Sequence, residues 1–297
     1  MTRIGRACRG VTLLELVVVM GILSVLAATA GIFLKPAIDA YFASQRRAEL
    51  VDTLDTAARR VVRDLRLALP NSVRVDPSNR YVEILLTKNG GRYRSANDDD
   101  LPAATTEDPL EFAAADTGFD TLGNLSTAAG QLVAANDYVV VHNLGIAGAD
   151  AYDTAAASPN IAQVGTYTVG GGALANEDRI VFSVAKQFPL ESPGRRFFVV
   201  SGAVTFACVP GAVDASGNGT GTLRRWSGYA FGGTTAAPTS TPGGATDALL
   251  ASYVTACTIE YTPVALSARG LVSVRLELTR ANEAVTLYYE AHVNNVP

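Results

Sequence analysis

The sequence is poor in the residue types from which catalytic and metal sites are most often built. Its 297 residues include two histidines, three cysteines and two methionines. Histidine is the most frequent general base near neutral pH, and histidine and cysteine are the main ligands of zinc and of soft metals. We therefore expect no catalytic residue, no metal site and no cofactor, which argues against an enzyme.

An excess of basic residues is also lacking. The chain has 24 lysines and arginines against 28 aspartates and glutamates, a formal net charge of −4. A domain that binds nucleic acid usually carries a strong positive patch, so we expect no nucleic-acid partner. Glycine and proline, at 27 and 13 residues, are too few for a fibrous or linker protein, and the hydrophobic content of 48% is typical of a globular one.

One apolar run stands out near the N-terminus. Residues 16–34 carry no charge, and a helix of that length spans roughly 28 Å, about one hydrocarbon core. Arg3, Arg6 and Arg9 precede it, with no acidic residue among the first ten. By the positive-inside rule the N-terminus stays in the cytoplasm, so we predict a single membrane pass with the remaining chain on the far side.

Glu15 stands at the entrance to this run. A secretory signal with cleavage near Ala27–Ala30 would explain the basic start and the apolar run. However, a carboxylate costs on the order of 2.5 kcal/mol at the bilayer centre, so Glu15 needs a compensating partner. The alternative is a glutamate that merely reaches the headgroups of a single-pass anchor.

The segment around Glu15 carries a recognisable signal. Residues 9–15, with the sequence RGVTLLE, resemble the class III signal of type IV prepilins and pseudopilins. The resemblance implies that a prepilin peptidase cuts after Gly10 and that Val11, where the family usually has phenylalanine, becomes an N-methylated terminus. It also implies that Thr12 and Glu15 serve assembly, with the Glu15 carboxylate pairing with the terminal amine of a neighbouring subunit.

The same resemblance implies partners and a location. The partners are the prepilin peptidase, other pilins, inner-membrane assembly proteins and membrane lipid. The chain would lie in the inner membrane with its C-terminal domain in the periplasm, and after assembly in an extracellular pilus. Association of the membrane helices would use small residues that let helices approach closely, and these are Gly21, Ser24, Ala27, Ala28 and Gly31.

A second helical pattern follows the apolar run. Proline lacks an N–H and crowds the preceding turn, so we expect Pro36 to interrupt or bend the helix. The pattern then resumes and Pro70 and Asn71 end it, which gives about 55 helical residues and a length of roughly 80 Å. Its apolar positions recur at helical spacing: Phe42, Leu50, Leu54, Val61, Leu65 and Leu69. Its charged positions lie elsewhere: Arg46, Arg47, Asp52, Arg59, Arg60, Arg63 and Asp64.

Beyond Asn71 the hydrophobic period changes to two, which predicts strands. The predicted strands are 81–86, 137–142, 163–169, 179–184, 196–208, 254–261, 271–280 and 284–293. The last two form the clearest pair, an antiparallel hairpin with a short connection at 281–283. Stretches rich in alanine, glycine, threonine and aspartate predict loops: 94–108, 113–136, 145–160, 209–221 and 232–247.

Pattern and resemblance together predict one architecture. It is an α+β, type IV pilin-like fold, in which a long N-terminal helix packs on an antiparallel β-sheet with an inserted loop-rich region. The predicted divisions are a leader at 1–10, a transmembrane and assembly helix at 11–35, an amphipathic half-helix at 36–70 and a periplasmic β-rich domain at 71–297.

The cysteines fit an oxidising compartment. Cys8 would leave with the leader, so the mature chain would keep Cys208 and Cys257, and an even pair in the periplasm predicts a disulfide. Two buried free thiols or a metal-binding pair are the alternatives.

The resemblance extends past the signal, to the minor pilins of the mannose-sensitive haemagglutinin (MSHA) system. The segments that carry it are 47–52, 69–74, 192–200, 225–230 and 292–297. Residues 192–200 are also similar to the large minor pseudopilin of type II secretion. The implied function is a minor pilin that joins or primes a type IV pilus. The alternatives are a minor pseudopilin and an adhesin displayed at a pilus tip.

A few further residues are candidates for binding or chemistry. Trp226, Tyr229 and Phe231 would form a sugar-binding platform in an adhesin, or else part of the core. His142 and His292 lie in strand patterns, where we interpret them as structural. Three loops complete the set: Asp98–Asp100 and Asp214–Gly219, which offer oxygen ligands for calcium or are solvated turns, and Gly170–Gly172, a flexible loop without phosphate-binding context.

Overall fold

A computed structural model gives the architecture of the protein. It describes residues 10–98, 106–155, 159–233, 236–263 and 269–297. A single helix, α1 (Leu13–Arg66), precedes all the strands of this described part. The chain divides into two compact units, residues 1–49 and 50–297. The second unit contains the end of α1 and every described strand.

The described part of the chain contains eleven strands in one largely antiparallel sheet. They are β1 (Arg74–Val75), β2 (Tyr81–Arg92), β3 (Asp116–Asp120), β4 (Tyr138–Val141), β5 (Ile161–Thr168), β6 (Arg179–Lys186), β7 (Arg196–Val209), β8 (Gly221–Ser227), β9 (Thr246–Pro263), β10 (Arg269–Arg280) and β11 (Glu283–Asn294). The spatial order is β11-β10-β9-β8-β7-β4-β5-β6-β3, and β2 pairs with both β1 and β7. The predicted α+β fold, a long helix packed on an antiparallel sheet, is confirmed.

The predicted amphipathic face of the helix packs on the sheet within the second unit. Leu50, Leu54, Val61 and Leu65 are buried, at the helical spacing that brings them to one side of α1. They join apolar residues of β2 and β7–β11 in the first core. Burial of this face stabilises the last turns of α1, because packing of an apolar face contributes more than intrinsic helix propensity.

Pro36 does not interrupt the helix. Of the two expected effects, interruption or bending, the interruption is wrong, since α1 is helical from Leu13 to Arg66 with Pro36 inside it. A proline removes one backbone hydrogen bond and crowds one carbonyl, a local cost that the flanking turns tolerate.

The predicted end of the helix is also wrong by one turn. The helix ends at Arg66, and the next residues pair with β2 through the bonds Thr87 N–Leu67 O and Leu69 N–Leu85 O, both 2.8 Å. Asn71 follows in the left-handed region, with φ of 60°. Its side-chain amide donates to the carbonyl oxygens of Asn143 at 2.8 Å and Asn295 at 3.2 Å. The turn after the helix therefore joins the middle and the end of the chain.

One charged residue of the helix lies on the buried side. The helical spacing predicts that Asp64 lies on the polar face, but this residue is only 3% exposed. The Arg225 guanidinium of β8 donates to its carboxylate at 2.8 Å, and Arg60 and Arg63 lie 3.5 and 3.7 Å from it. The helix-to-sheet packing thus includes an ion pair between groups 161 residues apart.

We expect Asp64→Ala to lower the free energy of unfolding by about 2 kcal/mol, because the substitution leaves Arg225 desolvated without its carboxylate. The loss is smaller than for a fully buried pair, since Arg225 keeps a hydrogen bond to Ser227. Denaturant unfolding of the full chain in detergent measures it. Asp52→Ala, an exposed acid on the same helix, is the control and should change stability by less than about 0.5 kcal/mol. Equal effects of the two substitutions would contradict the proposed role of the pair.

The region predicted to be rich in loops has its own core. The predicted loop at 113–136 contains β3, which the sequence pattern missed. Strands β3, β4, β5, β6 and the start of β7 enclose a second core around Phe119, Ile180 and Phe197. β3 contains Gly118, which lies so close to Ile180 that a Cβ at position 118 would meet the Ile180 carbonyl oxygen at 2.4 Å, so the strand requires a glycine there. Glycine is depleted in strands, so a composition pattern predicts a loop there.

Asp178 organises the loops over this second core. Its carboxylate accepts hydrogen bonds from the Tyr167 hydroxyl at 2.6 Å, the Leu125 N–H at 2.7 Å and the Gly170 N–H at 2.8 Å. Burial acts to raise the pKa of Asp178, but these donors outweigh it and hold the pKa below the ordinary value. The glycine loop that begins at Gly170 is therefore fastened to a carboxylate.

Candidate processing and assembly site

The predicted cleavage segment lies immediately before the helix. Gly10 and Val11 are exposed and outside regular structure, and α1 begins at Leu13. A Cβ built on Gly10 would meet no atom within 4 Å. The backbone between Gly10 and Val11 is thus open to an enzyme that binds an extended peptide.

Thr12 caps the helix. Its hydroxyl oxygen accepts a hydrogen bond from the Glu15 N–H at 3.2 Å, and its carbonyl accepts from the Leu16 N–H at 3.1 Å. This is the N-cap arrangement, in which a threonine satisfies one of the free amides of the first turn. Threonine followed three residues later by glutamate is the capping-box pattern. The pattern is visible in the sequence itself, at residues 12–15.

Glu15 occupies the first turn of α1. Among the described residues its carboxylate has no ion-pair partner. The partial positive charge of the helix N-terminus favours a carboxylate at this place, but a dipole does not neutralise it. The geometry therefore leaves a negative charge at the start of an apolar helix, as the sequence predicted.

The following turns expose apolar side chains on every side. No residue of the most apolar 18-residue stretch of α1 is buried. The polar groups are satisfied within the helix: the Ser24 hydroxyl donates to Gly21 O at 2.8 Å and the Thr29 hydroxyl to Leu26 O at 2.9 Å. Internal satisfaction of every polar group is what a hydrocarbon environment demands. By length and composition α1 is able to cross a membrane, which supports membrane anchoring.

The small residues predicted for helix association share one side of this segment. Ser24, Ala28 and Gly31 follow Gly21 at intervals of three or four residues, the spacing of neighbours on a helix surface. Gly21 and Gly31 have open space where a Cβ would be. Close approach of another helix is sterically possible there.

The structure contains a disulfide bond between Cys208 and Cys257. Cys208 is fully buried in β7, and Cys257 of β9 packs against the first core. Trp226 lies between them in sequence, in a strand that the sequence pattern did not predict. This strand is β8, which pairs with β7 on one side and β9 on the other. The bond therefore reinforces strands that already lie in one sheet.

The aromatic residues considered as a sugar platform are core residues. Trp226 and Tyr229 are buried, and Phe231 packs against them in a third core with Tyr138 and Tyr152. The Tyr229 hydroxyl donates to Glu83 at 2.8 Å, and burial with this carboxylate raises its pKa. Buried rings of this kind offer no face to a ligand.

The remaining candidates are explained by local structure. His142 follows β4 with a φ of 52°, and His292 is exposed on β11. The carboxylate of Asp214 accepts from the N–H groups of Ser216 and Asn218 at 2.8 and 2.9 Å, which closes its own turn. No cluster of three metal-ligating side chains occurs in the described part of the chain. Asp99, Asp100 and Cys8 lie outside the described residues.

Comparison with known proteins identifies the N-terminal segment. Residues 5–31 match the prokaryotic N-terminal methylation motif, a type IV pilin-like signal. No curated protein and no solved structure matches the chain significantly. The motif supports a type IV pilin-like or pseudopilin protein, and it implies processing by prepilin peptidase, assembly with other pilins and a structural subunit rather than an enzyme.

Proposed function

We propose that this protein is a minor pilin, similar to the MshO component of the MSHA system, that joins or primes a type IV pilus through α1. One observation carries the proposal. The exposed Gly10–Val11 bond precedes a capped helix that exposes apolar side chains on all sides. The carboxylate of Glu15, in the first turn of this helix, has no ion-pair partner among the described residues. This arrangement lies within the matched methylation motif.

The proposed sequence of events starts in the inner membrane, with residues 71–297 in the periplasm. Prepilin peptidase removes residues 1–10, and the amine of Val11 is methylated. Residues 11–35 then form the membrane and assembly helix, and residues 36–70 connect it to the periplasmic domain. Thr12 stays in the mature chain, so the helix keeps its cap after cleavage.

Glu15 gives the assembly step its electrostatic driving force. Cleavage creates an ammonium four residues before this carboxylate, at a similar depth in the membrane. A charge in the hydrocarbon region is stabilised most by an opposite charge, and a neighbouring subunit offers its own terminal amine. Pairing between subunits replaces two unpaired charges with one ion pair, and small residues on α1 allow the approach.

We expect Glu15→Val to lower incorporation into filaments about tenfold, since pairing that offsets even about 1.4 kcal/mol of the cost of a carboxylate in the membrane changes an equilibrium constant by one decade. Processing and folding should not change, because the side chain has no ion-pair partner among the described residues of its own chain. Immunoblots of sheared filaments and of membranes from the same cells measure the ratio of filament-bound to membrane-bound protein. Asp39→Val, a charge change beyond the apolar run, is the control. Equal incorporation of wild type and Glu15→Val would contradict pairing between subunits.

A minor pseudopilin of type II secretion is the second candidate, favoured by the similarity of residues 192–200. Deletion of the gene separates the two. Loss of surface pili, with immunogold labelling of pili in the parent strain, supports the minor pilin. Loss of protein secretion with normal piliation supports the pseudopilin and contradicts the first proposal.

A further inference from the structure

The last strand of the sheet has a free edge. β11 pairs with β10 over twelve residues without a register shift, and it is the terminal strand in the sheet order. No strand in the described part of the chain pairs with its other side. Such an edge presents a row of backbone donors and acceptors to which another strand can be added.

β11 lacks the features that normally block an added strand. Proteins protect edges with prolines, lysines, bulges or very short strands, and residues 283–294 contain no proline, glycine, lysine or arginine. The opposite end of the sheet is different, since β3 has five residues and a register shift in its pairing with β6. Of the two ends of the described sheet, only the end formed by β11 is thus long and regular.

The hairpin turn determines which backbone groups point outward. Ala281 and Asn282 have φ of 50° and 63°, as in a two-residue type I′ turn. Arg280 and Glu283 flank that turn as a register pair, and the residues that flank such a turn form a hydrogen-bonded pair. Hydrogen-bonded and non-hydrogen-bonded pairs alternate along an antiparallel ladder. The residues of β11 with outward backbone groups are therefore Ala284, Thr286, Tyr288, Glu290, His292 and Asn294.

A groove of about 500 Å³ lies beside this edge, between the end of α1 and β11. Its lining consists of Arg59, Val62, Arg63, Arg66, Leu67, Tyr289 and Glu290. Three guanidinium groups thus line the groove, whereas the Glu290 carboxylate accepts a hydrogen bond from the Tyr288 hydroxyl at 2.8 Å, on the face of β11 opposite to Tyr289. Arg59 is paired with Asp55 at 2.6 Å, whereas Arg63 lies 3.7 Å from the nearest Asp64 oxygen. The groove carries a net positive charge over an apolar base.

The groove and the edge fit one kind of occupant. In a strand added to β11, every second side chain lies on the same face as Tyr289 and so over the groove. These side chains repeat at roughly 6.6 Å along the added strand. Arg63 and Arg66 are separated by a rise of about 4.5 Å on α1, a difference that two long, flexible side chains can span. Carboxylates at alternate positions would therefore meet the arginines, while the backbone completes the ladder.

We propose that β11 and the adjoining groove bind an extended acidic segment of another polypeptide by strand addition. The main-chain hydrogen bonds come from the outward groups of Thr286, Tyr288 and Glu290, and charge selectivity comes from Arg63 and Arg66. This binding site is independent of the cleavage and assembly segment at the start of α1.

The test uses the full chain in detergent micelles and a fluorescent eight-residue peptide in which valine and glutamate alternate. We expect saturable binding by fluorescence anisotropy, weakened at least about tenfold when lysine replaces glutamate in the peptide. Hydrogen exchange at the amides of Thr286, Tyr288 and Glu290 should slow when the peptide is bound. Methylation of alternate peptide nitrogens should remove binding, because it removes the donors of the added strand.

Two kinds of variant locate the binding. Tyr288→Pro removes an outward N–H that β10 does not use, a position at which edge strands tolerate proline, and should weaken binding at least about tenfold. Tyr288→Ala keeps the N–H and should bind normally, which separates backbone loss from side-chain loss. Arg63→Glu with Arg66→Glu should also weaken binding about tenfold, whereas Arg275→Glu, an exposed arginine on β10, should not.

Three results would overturn the proposal. These are equal affinity for the lysine and glutamate peptides, unchanged binding by Tyr288→Pro, and absence of binding at millimolar peptide. Self-association of the chain through β11 that the peptide does not displace would assign the edge to a second copy instead. Circular dichroism spectra that match the wild type show that each variant is folded.

Discussion

Gly10→Leu is expected to leave the full-length precursor in the membrane and to remove the protein from filaments. The class III signal resembled by residues 9–15 requires a small residue before the cut. A folding defect is not expected, since a Cβ at Gly10 would meet no atom of the described residues within 4 Å. Mass spectrometry of the chain from membranes and filaments measures the effect, and the wild-type chain should begin at Val11.

The matched control is Gly5→Leu, the same substitution five residues earlier in the leader. It should be processed as the wild type, because that position is remote from the cut. Normal processing of Gly10→Leu, or a mature wild-type chain that begins anywhere but at Val11, would refute the cleavage site. Failure of both variants would point to the leader in general rather than to Gly10.

Replacing Cys208 and Cys257 together by serine should lower the free energy of unfolding by about 4 kcal/mol. The disulfide closes a loop with a sequence separation of 49, and the chain-entropy model gives that magnitude for such a loop. A loss of this size lowers abundance in cells. Denaturant unfolding of the full chain, with and without reductant, measures it.

The state of the two thiols provides an independent check. The mature protein, denatured without reductant, should show no free thiol by Ellman titration. Two reactive thiols per chain would show that the bond does not form. Cys8→Ser is the control, since Cys8 leaves with the leader and the mature chain would be unchanged. The Trp226 segment should not loosen ahead of the rest of the sheet, because β8 is paired on both sides.

The sequence predicted the elements whose patterns are local. The face of Leu50, Leu54, Val61 and Leu65 follows the helical period and is buried as expected. The β10–β11 hairpin follows a period of two and has the predicted short turn. Eight predicted strands occur with ends shifted by a few residues, except that β2 and β9 are longer than predicted. In these elements the apolar or polar character of each residue is enough to predict whether it is buried.

The missed features depend on partners far away in sequence. β8, which the sequence pattern did not predict, contains Arg225, and this residue lies against Asp64 of the helix. Neither residue alone indicates a buried ion pair, because each is ordinary on a polar surface. The helix end was misplaced for a similar reason, since Leu67 and Leu69 leave the helix to pair with β2.

The two candidate sites also differ in whether their residues are close together in sequence. Residues 10–15 form one contiguous motif, so the sequence identified all of its members, and the Thr12 cap was visible in the same six residues. The groove beside β11 combines side chains of α1 and β11 that are more than 200 residues apart. No spacing in the sequence brings Arg63 next to Tyr289, so that site required the three-dimensional fold.

The contacts of Asn71 affect the order in which the protein folds. Its side chain joins residue 143 and residue 295, at separations of 72 and 224 residues. Ribosomes synthesise the N-terminus first, and contacts between distant residues form slowly because a long loop has to close. The turn after the helix therefore lacks one partner until residue 295 has been made. The second unit cannot complete its fold before that point, so its sheet stays unfinished for most of the synthesis of residues 71–295.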